Sequence, residues 1–235
     1  MDAARISTLL EPYVAVPLPP ATLVRISTYI DLLLRWNART NLTAVRSPEE
    51  IVTRHFGESL FAAHNLFPST NPEKPSALES ESSTLRAADG SATRHTFIDV
   101  GSGAGFPGIP IHMFVPGLRT TLIEAHHKKV AFLREAIRAL TLTDIDVFPG
   151  RAQDFPGPAS LVTLRAVEHF DQILPVAARL VSPSGRLALL ISSAQISTAE
   201  ATLPELTWAP PSAVPGSDSR ILLVGTAPGR SAESD

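Results

Sequence analysis

The chain has 235 residues, 44% of them hydrophobic, and a formal net charge of -3. One sizeable core with appendages is therefore within reach, while a uniformly basic body that grips nucleic acid by charge alone is excluded. There is no cysteine, which rules out a disulfide framework, a thiolate metal site and a cysteine nucleophile together. No run approaches the roughly eighteen apolar residues of a membrane span, and the first residues lack an apolar signal core. A soluble, cytoplasmic monomer without a membrane partner is expected.

In chain order the elements are helical first. A short helix is expected near residues 3–11, and Leu23, Ile26, Ile30, Leu33 and Leu34 recur at helical spacing behind Pro19-Pro20. Ser47-Pro48-Glu49-Glu50 opens another helix, with a capping hydroxyl, proline at the first position and acids in the first turn. Residues 1–67 thus read as a helical cap. Residues 68–95 are rich in proline and serine with almost no large apolar side chain, and read as a flexible insertion.

From residue 96 the pattern changes to short apolar strands at about 96–100, 119–124, 144–148, 160–164 and 186–191, separated by helices at about 107–115, 127–140 and 170–180. That alternation specifies an α/β fold with a parallel, doubly wound sheet. Two further strand-like runs, 205–208 and 219–225, are joined by a Pro/Ser/Gly loop too short for a crossover helix, so a terminal antiparallel hairpin is expected. This domain spans 96–226, and residues 227–235 form a disordered tail poor in core residues.

The first strand ends on Asp99 and runs into Val-Gly101-Ser-Gly103-Ala-Gly105-Phe-Pro-Gly108. Alternating glycines let a chain turn from strand to helix through positive dihedrals and let a ligand lie against the backbone. Gly103 to Gly108 fits a dinucleotide fingerprint with Glu124 ending the next strand, and a nicotinamide-dependent oxidoreductase is the alternative reading. Asp99 tilts the choice. The run from Asp99 to Gly105 resembles motif I of the class I S-adenosylmethionine-dependent methyltransferases. That donor carries an ammonium and a sulfonium and no phosphate, so a nearby carboxylate attracts it, whereas a pyrophosphate would be repelled.

Other candidates have two readings each. Asn37 and Asn41 either cap and turn the chain or face a substrate. Arg54 and His55 are adjacent, so on a helix they diverge by about 100 degrees and one of them is expected to be structural. His126-His127-Lys128-Lys129 is either a solvated face or a phosphate-meeting edge. Residues 119–140 hold five basic residues against two acidic ones, and they begin at the carboxyl end of a strand. No histidine pair has zinc-helix spacing and no Gly-x-Ser-x-Gly elbow is present, so no metal is expected.

The segment Leu33-Leu34-Arg35-Trp36-Asn37 through Asn41-Leu42-Thr43 to Arg54-His55 and Ser59-Leu60 closely resembles the cap of the RsmG (GidB) family. The likeness continues through Asp99 to Pro110, Lys128 to Glu135, Gly150-Arg151-Ala152 and Arg165-Ala166. It implies a class I methyltransferase sheet with an N-terminal helical cap, S-adenosyl-L-methionine as cofactor, and methylation of a guanine N7 in 16S ribosomal RNA of the small ribosomal subunit. It further implies Gly101 and Gly103 making room for the donor, Asp99 facing its ammonium directly or through water, Glu124 accepting its ribose hydroxyls, and Ala152 and Gln153 at its adenine. Phe106 would lie against the cofactor, and Arg165 would hold the methionine carboxylate or an RNA phosphate. Asn37, Asn41, His55 and Arg165 become candidates for base positioning, and Arg54, Lys128 and Lys129 for RNA binding. One departure stands out: members commonly carry a lysine after the fifth strand, where this chain has Ile191.

Overall fold

A computed structural model describes residues 1–68, 95–166 and 169–229 of the protein. The insertion expected at 68–95 lies outside the described residues except for its two ends, as does the tail from residue 230.

Helix α1 (Ala3–Leu10) starts where the Asp2 side chain accepts the Arg5 amide. Helix α2 (Pro20–Thr40) has proline in its first turn, which gives up an amide that would have no partner there, and it ends at Asn41 in the left-handed region, φ 49°. Its buried stripe, Leu23, Ile26, Tyr29, Ile30, Leu33 and Asn37, repeats at the spacing of one helical face. A third helical run starts at Pro48 as α3 (Pro48–Glu50), widens to a π-helix over Ile51–Gly57, and continues as α4 (Glu58–Leu66). Gly57 is needed where the run passes Tyr13, because a Cβ there would lie 2.8 Å from the ring.

The sheet runs β3-β2-β1-β4-β5-β8-β6, with β7 also paired to β8. Its strands are β1 (Thr96–Val100), β2 (Arg119–Ile123), β3 (Ile145–Phe148), β4 (Ala159–Arg165), β5 (Val181–Ser192), β6 (Thr207–Trp208), β7 (Ser212–Ala213) and β8 (Arg220–Thr226). The first five are parallel, and β8 enters antiparallel against β5, with Leu189 opposite Leu223. The expected hairpin is present: β6 pairs β8 through Thr207–Thr226 and Trp208–Gly225. The connecting helices are α5 (Gly108–Phe114), α6 (His127–Ala139), α7 (Phe170–Arg179) and α8 (Ile196–Thr202).

One apolar cluster joins Ile6, Tyr29, Ile30 and Phe56 of the cap to Phe97, Phe106, Leu122 and Phe132 of the sheet domain. On the other sheet face Val162, Leu164, Leu187 and Leu189 pack with Leu174 and Ala177 of α7 and Ala199 of α8. Ile191 belongs to this second cluster and is buried. No helix among the described residues is long and apolar enough to cross a membrane.

Candidate functional site

Parallel strands bring their carboxyl ends to one edge, and where the strand order reverses, between β1 and β4, the loops part into a crevice. A cavity of about 580 Å³ opens there, lined by Gly101, Glu124, Lys129, Arg151, Ala152 and Gln153 among others. The loop from Gly101 to Gly105 makes the turn with three positive-φ glycines, at 67°, 58° and 83°. Glu124 braces it: Oε2 accepts the Gly103 amide at 2.9 Å and Oε1 accepts the His126 amide at 2.8 Å. Each carboxylate oxygen keeps a second lone pair for a ligand hydroxyl.

Asp99 lies beneath the loop. It is 1% exposed. Its Oδ1 accepts from the Thr163 hydroxyl at 2.7 Å and its Oδ2 from the Gly108 amide at 3.2 Å, so it ties β1 to β4 and to the start of α5 from beneath the loop. A direct approach to a ligand ammonium is closed by burial. Burial also raises its pKa to about 6, against the lowering effect of the hydrogen bonds from Thr163, Ser102 and Gly108. The folded state therefore holds a proton that the unfolded chain releases between about pH 4 and 6, and the stability this group contributes is lost as pH rises through that window. Asp99→Asn keeps an acceptor for Gly108 and can donate to the Thr163 hydroxyl. It is expected to gain up to about 3 kcal/mol over wild type at pH 7, with the gain vanishing near pH 4, in urea unfolding. A pH-independent loss of stability would contradict the assignment.

Arg165 is likewise engaged internally. Its Nη2 lies 2.8 Å from Glu58 Oε2, with side chains 7% and 5% exposed, and its Nε donates to the same oxygen at 3.1 Å. Nη2 also donates to the Arg54 carbonyl and to His55 Nδ1. The guanidinium thus fastens the π-helix of the cap to the end of β4. Because arginine only donates, His55 Nδ1 must accept, and Nε2–H donates to the Thr43 hydroxyl at 2.8 Å. Burial first, then Arg165 and Arg54, pushes the His55 pKa down to about 3. His55 is therefore neutral and structural, whereas Arg54 is exposed, which is the divergence expected of adjacent helical residues.

Asn37 clamps the chain that follows α2. Buried at the end of α2, it donates to the Thr43 carbonyl at 2.9 Å and accepts the Thr43 amide at 3.0 Å, which holds the following loop closed. Asn41 stays exposed and accepts from Arg46. Phe106 is buried and stacks between Tyr29 and His55, at centroid distances of 5.2 and 4.8 Å, so it faces the cap and not the cavity. Of the basic candidates, Lys128 is exposed, whereas Lys129 borders the cavity. Thr163, Glu58 and Tyr29 were not singled out by sequence reasoning. For Glu58 a signal existed, a carboxylate inside the run Phe56-Gly57-Glu58-Ser59-Leu60. Among the described residues no group of three or more histidine, aspartate or glutamate side chains is arranged to hold a metal.

The strand order, the acid-ended glycine loop and the crevice beside β1 define a class I methyltransferase fold carrying a helical cap. A family model described as rRNA small subunit methyltransferase G matches residues 23–72 and 81–207, and the chain belongs to this family, GidB. It is 38% identical over 161 residues to a ribosomal RNA small subunit methyltransferase G of Stenotrophomonas maltophilia, a match covering 68% of this chain and 64% of that one. A protein of the same name from Xanthomonas campestris pv. campestris is 36% identical over the same shares. The chain thus spans a little under two thirds of the length of these relatives. Among solved structures, a SAM dependent methyltransferase from Aquifex aeolicus overlaps with a TM-score of 0.48 at 16% identity, over 70% of this chain and 96% of that one. The oxidoreductase alternative finds no support among these families.

Proposed function

We propose that the protein transfers a methyl group from S-adenosylmethionine to N7 of a guanine in 16S ribosomal RNA, acting on the small ribosomal subunit. The observation that carries this reading is the cavity walled by Glu124 and the Gly101 backbone in a chain of this family. The residues present fit the donor. Glu124 lines the crevice with one bond accepted at each oxygen, which leaves capacity for ribose hydroxyls, and Ala152 and Gln153 form the wall where an adenine would lie. A dinucleotide fits less well, because the Gly103 amide that would meet a pyrophosphate already holds the Glu124 carboxylate. When bound, the donor supplies an activated methyl group on a sulfonium.

Guanine N7 presents an in-plane lone pair and no proton, so the protein needs no general base. That agrees with His55, whose two nitrogens are both committed within the fold. The task left to the side chains is alignment, which can itself supply several kcal/mol. Arg54, Asn41 and Lys128 are exposed and available to RNA, and Lys129 can serve both RNA and donor. With a net charge of -3, generic RNA should bind weakly, and selectivity should come from the folded shape of the ribonucleoprotein.

Two results are expected. Glu124→Ala should weaken donor binding ten- to a hundredfold, about 1.5 to 3 kcal/mol, by calorimetry. Lys128→Ala should weaken binding to small-subunit particles and reduce the salt dependence by about one counterion, while donor affinity stays within about twofold. The activity itself is tested by deleting the gene and mapping N7-methylguanine in the small-subunit RNA through chain cleavage at the modified base. Persistence of the modification, or faster methylation of an unrelated small molecule than of any ribosomal particle, would rule the reading out.

A further inference from the structure

Tyr29 is fully buried in α2, and its hydroxyl donates to the Ala104 carbonyl at 2.6 Å. The bond crosses from the cap to the middle of the glycine loop, 75 residues away in sequence. On the far side of the same turn the Gly103 amide holds Glu124 Oε2, and the Gly105 amide closes the turn onto the Ser102 carbonyl at 2.7 Å. The ring of Tyr29 is fixed by three neighbours: stacked on Phe106 at 11°, and edge-on or offset to Phe56 and Phe132. The hydroxyl therefore has little freedom, and it constrains a loop whose three glycines would otherwise give it much. The fit is close, since a Cβ added at Gly105 would collide with the Tyr29 hydroxyl.

We infer that Tyr29 is a positioning residue for donor binding: by fixing the Ala104 carbonyl from the cap side, its hydroxyl orients the Gly103 peptide and through it the Glu124 carboxylate. The inference rests on the reading that Glu124 holds the donor. Tyr29 touches no ligand itself. The effect follows from rigidity: without the hydroxyl the Ala104–Gly105 peptide keeps only its amide bond to the Ser102 carbonyl, its carbonyl side loosens, and the Gly103 amide that aims Glu124 is less firmly held.

The test uses the full chain and S-adenosylhomocysteine as probe. Tyr29→Phe keeps the ring and removes only the hydroxyl, and it is expected to weaken binding three- to tenfold by calorimetry. Hydrogen exchange at the Gly103 and Gly105 amides of the ligand-free protein should speed up in parallel. Trp36→Phe is the structural control. It deletes another bond between the cap and the sheet domain, Trp36 Nε1 to Glu135 Oε2 at 3.0 Å, away from the loop. It should lower the melting temperature without changing affinity. Unchanged affinity in Tyr29→Phe, or unchanged exchange at the Gly103 amide, overturns the inference while an impaired Glu124→Ala leaves the donor reading intact. Unchanged affinity in Glu124→Ala overturns both.

Discussion

Glu58→Ala is expected to destabilise the protein by about 3 to 5 kcal/mol, because it leaves the Arg165 guanidinium buried without its counter-charge. The remaining partners, the Arg54 carbonyl and the neutral His55, offer dipoles but no charge. Arg220, 3.8 Å from the same Glu58 oxygen, adds a second cation that the substitution would strand. Replacing both members of the pair, Glu58→Leu with Arg165→Met, should cost much less, since two desolvated charges disappear together and the volume is kept. Urea unfolding of Glu58→Ala and of the double variant measures the difference. A loss of under about 1 kcal/mol in Glu58→Ala would mean that water reaches the pair and that the cap is held mainly by its apolar face.

Acid should loosen the same junction. The folded state holds His55 neutral down to about pH 3, whereas the unfolded chain takes up the proton near 6.5. Its contribution to stability is fully present above about pH 6.5 and is lost progressively as pH falls toward 3. Between pH 7 and 4.5 the loss from this group is about 3 kcal/mol. Protonation would also turn Nδ1 into a donor facing the Arg165 donor, so the two would repel. His55→Gln, which can accept from Arg165 and donate to Thr43, should flatten the pH dependence of stability relative to wild type. Asp99 titrates in an overlapping range with the opposite sign, but it does so in both proteins and cancels in the difference. Equal slopes for the two proteins would show that His55 is accessible to protons in the folded state.

The sheet was legible because strands buried on both faces read as short apolar runs, and the glycine loop because it has few other uses at the end of a strand. Helix α8 was missed although Ser192 and Gln195 form a capping box just ahead of it, since only Ala199 of its residues is buried and no apolar stripe marks it. The π-helix over Ile51–Gly57 was beyond reach, because widening changes which amide meets which carbonyl and leaves little trace in side-chain spacing. The site was legible in position more than in role. Asp99 and Arg165 carry charges that suit a ligand and an internal partner equally well, and Arg165 meets Glu58 across 107 residues of sequence. Asn37 shows the same ambiguity: an asparagine near a helix end serves a loop as readily as a base.

The apolar cluster that runs from Ile6 and Tyr29 through Phe56 into Phe97 and Leu122 makes the cap inseparable from the sheet. A module hinged on a linker could be exchanged for another to redirect an enzyme, with the catalytic half left undisturbed. Here the helices that would meet the substrate also complete one face of the interior, so melting either half exposes the other, and any change of specificity drafted into the cap is felt at once as a change in the cooperativity of the whole chain.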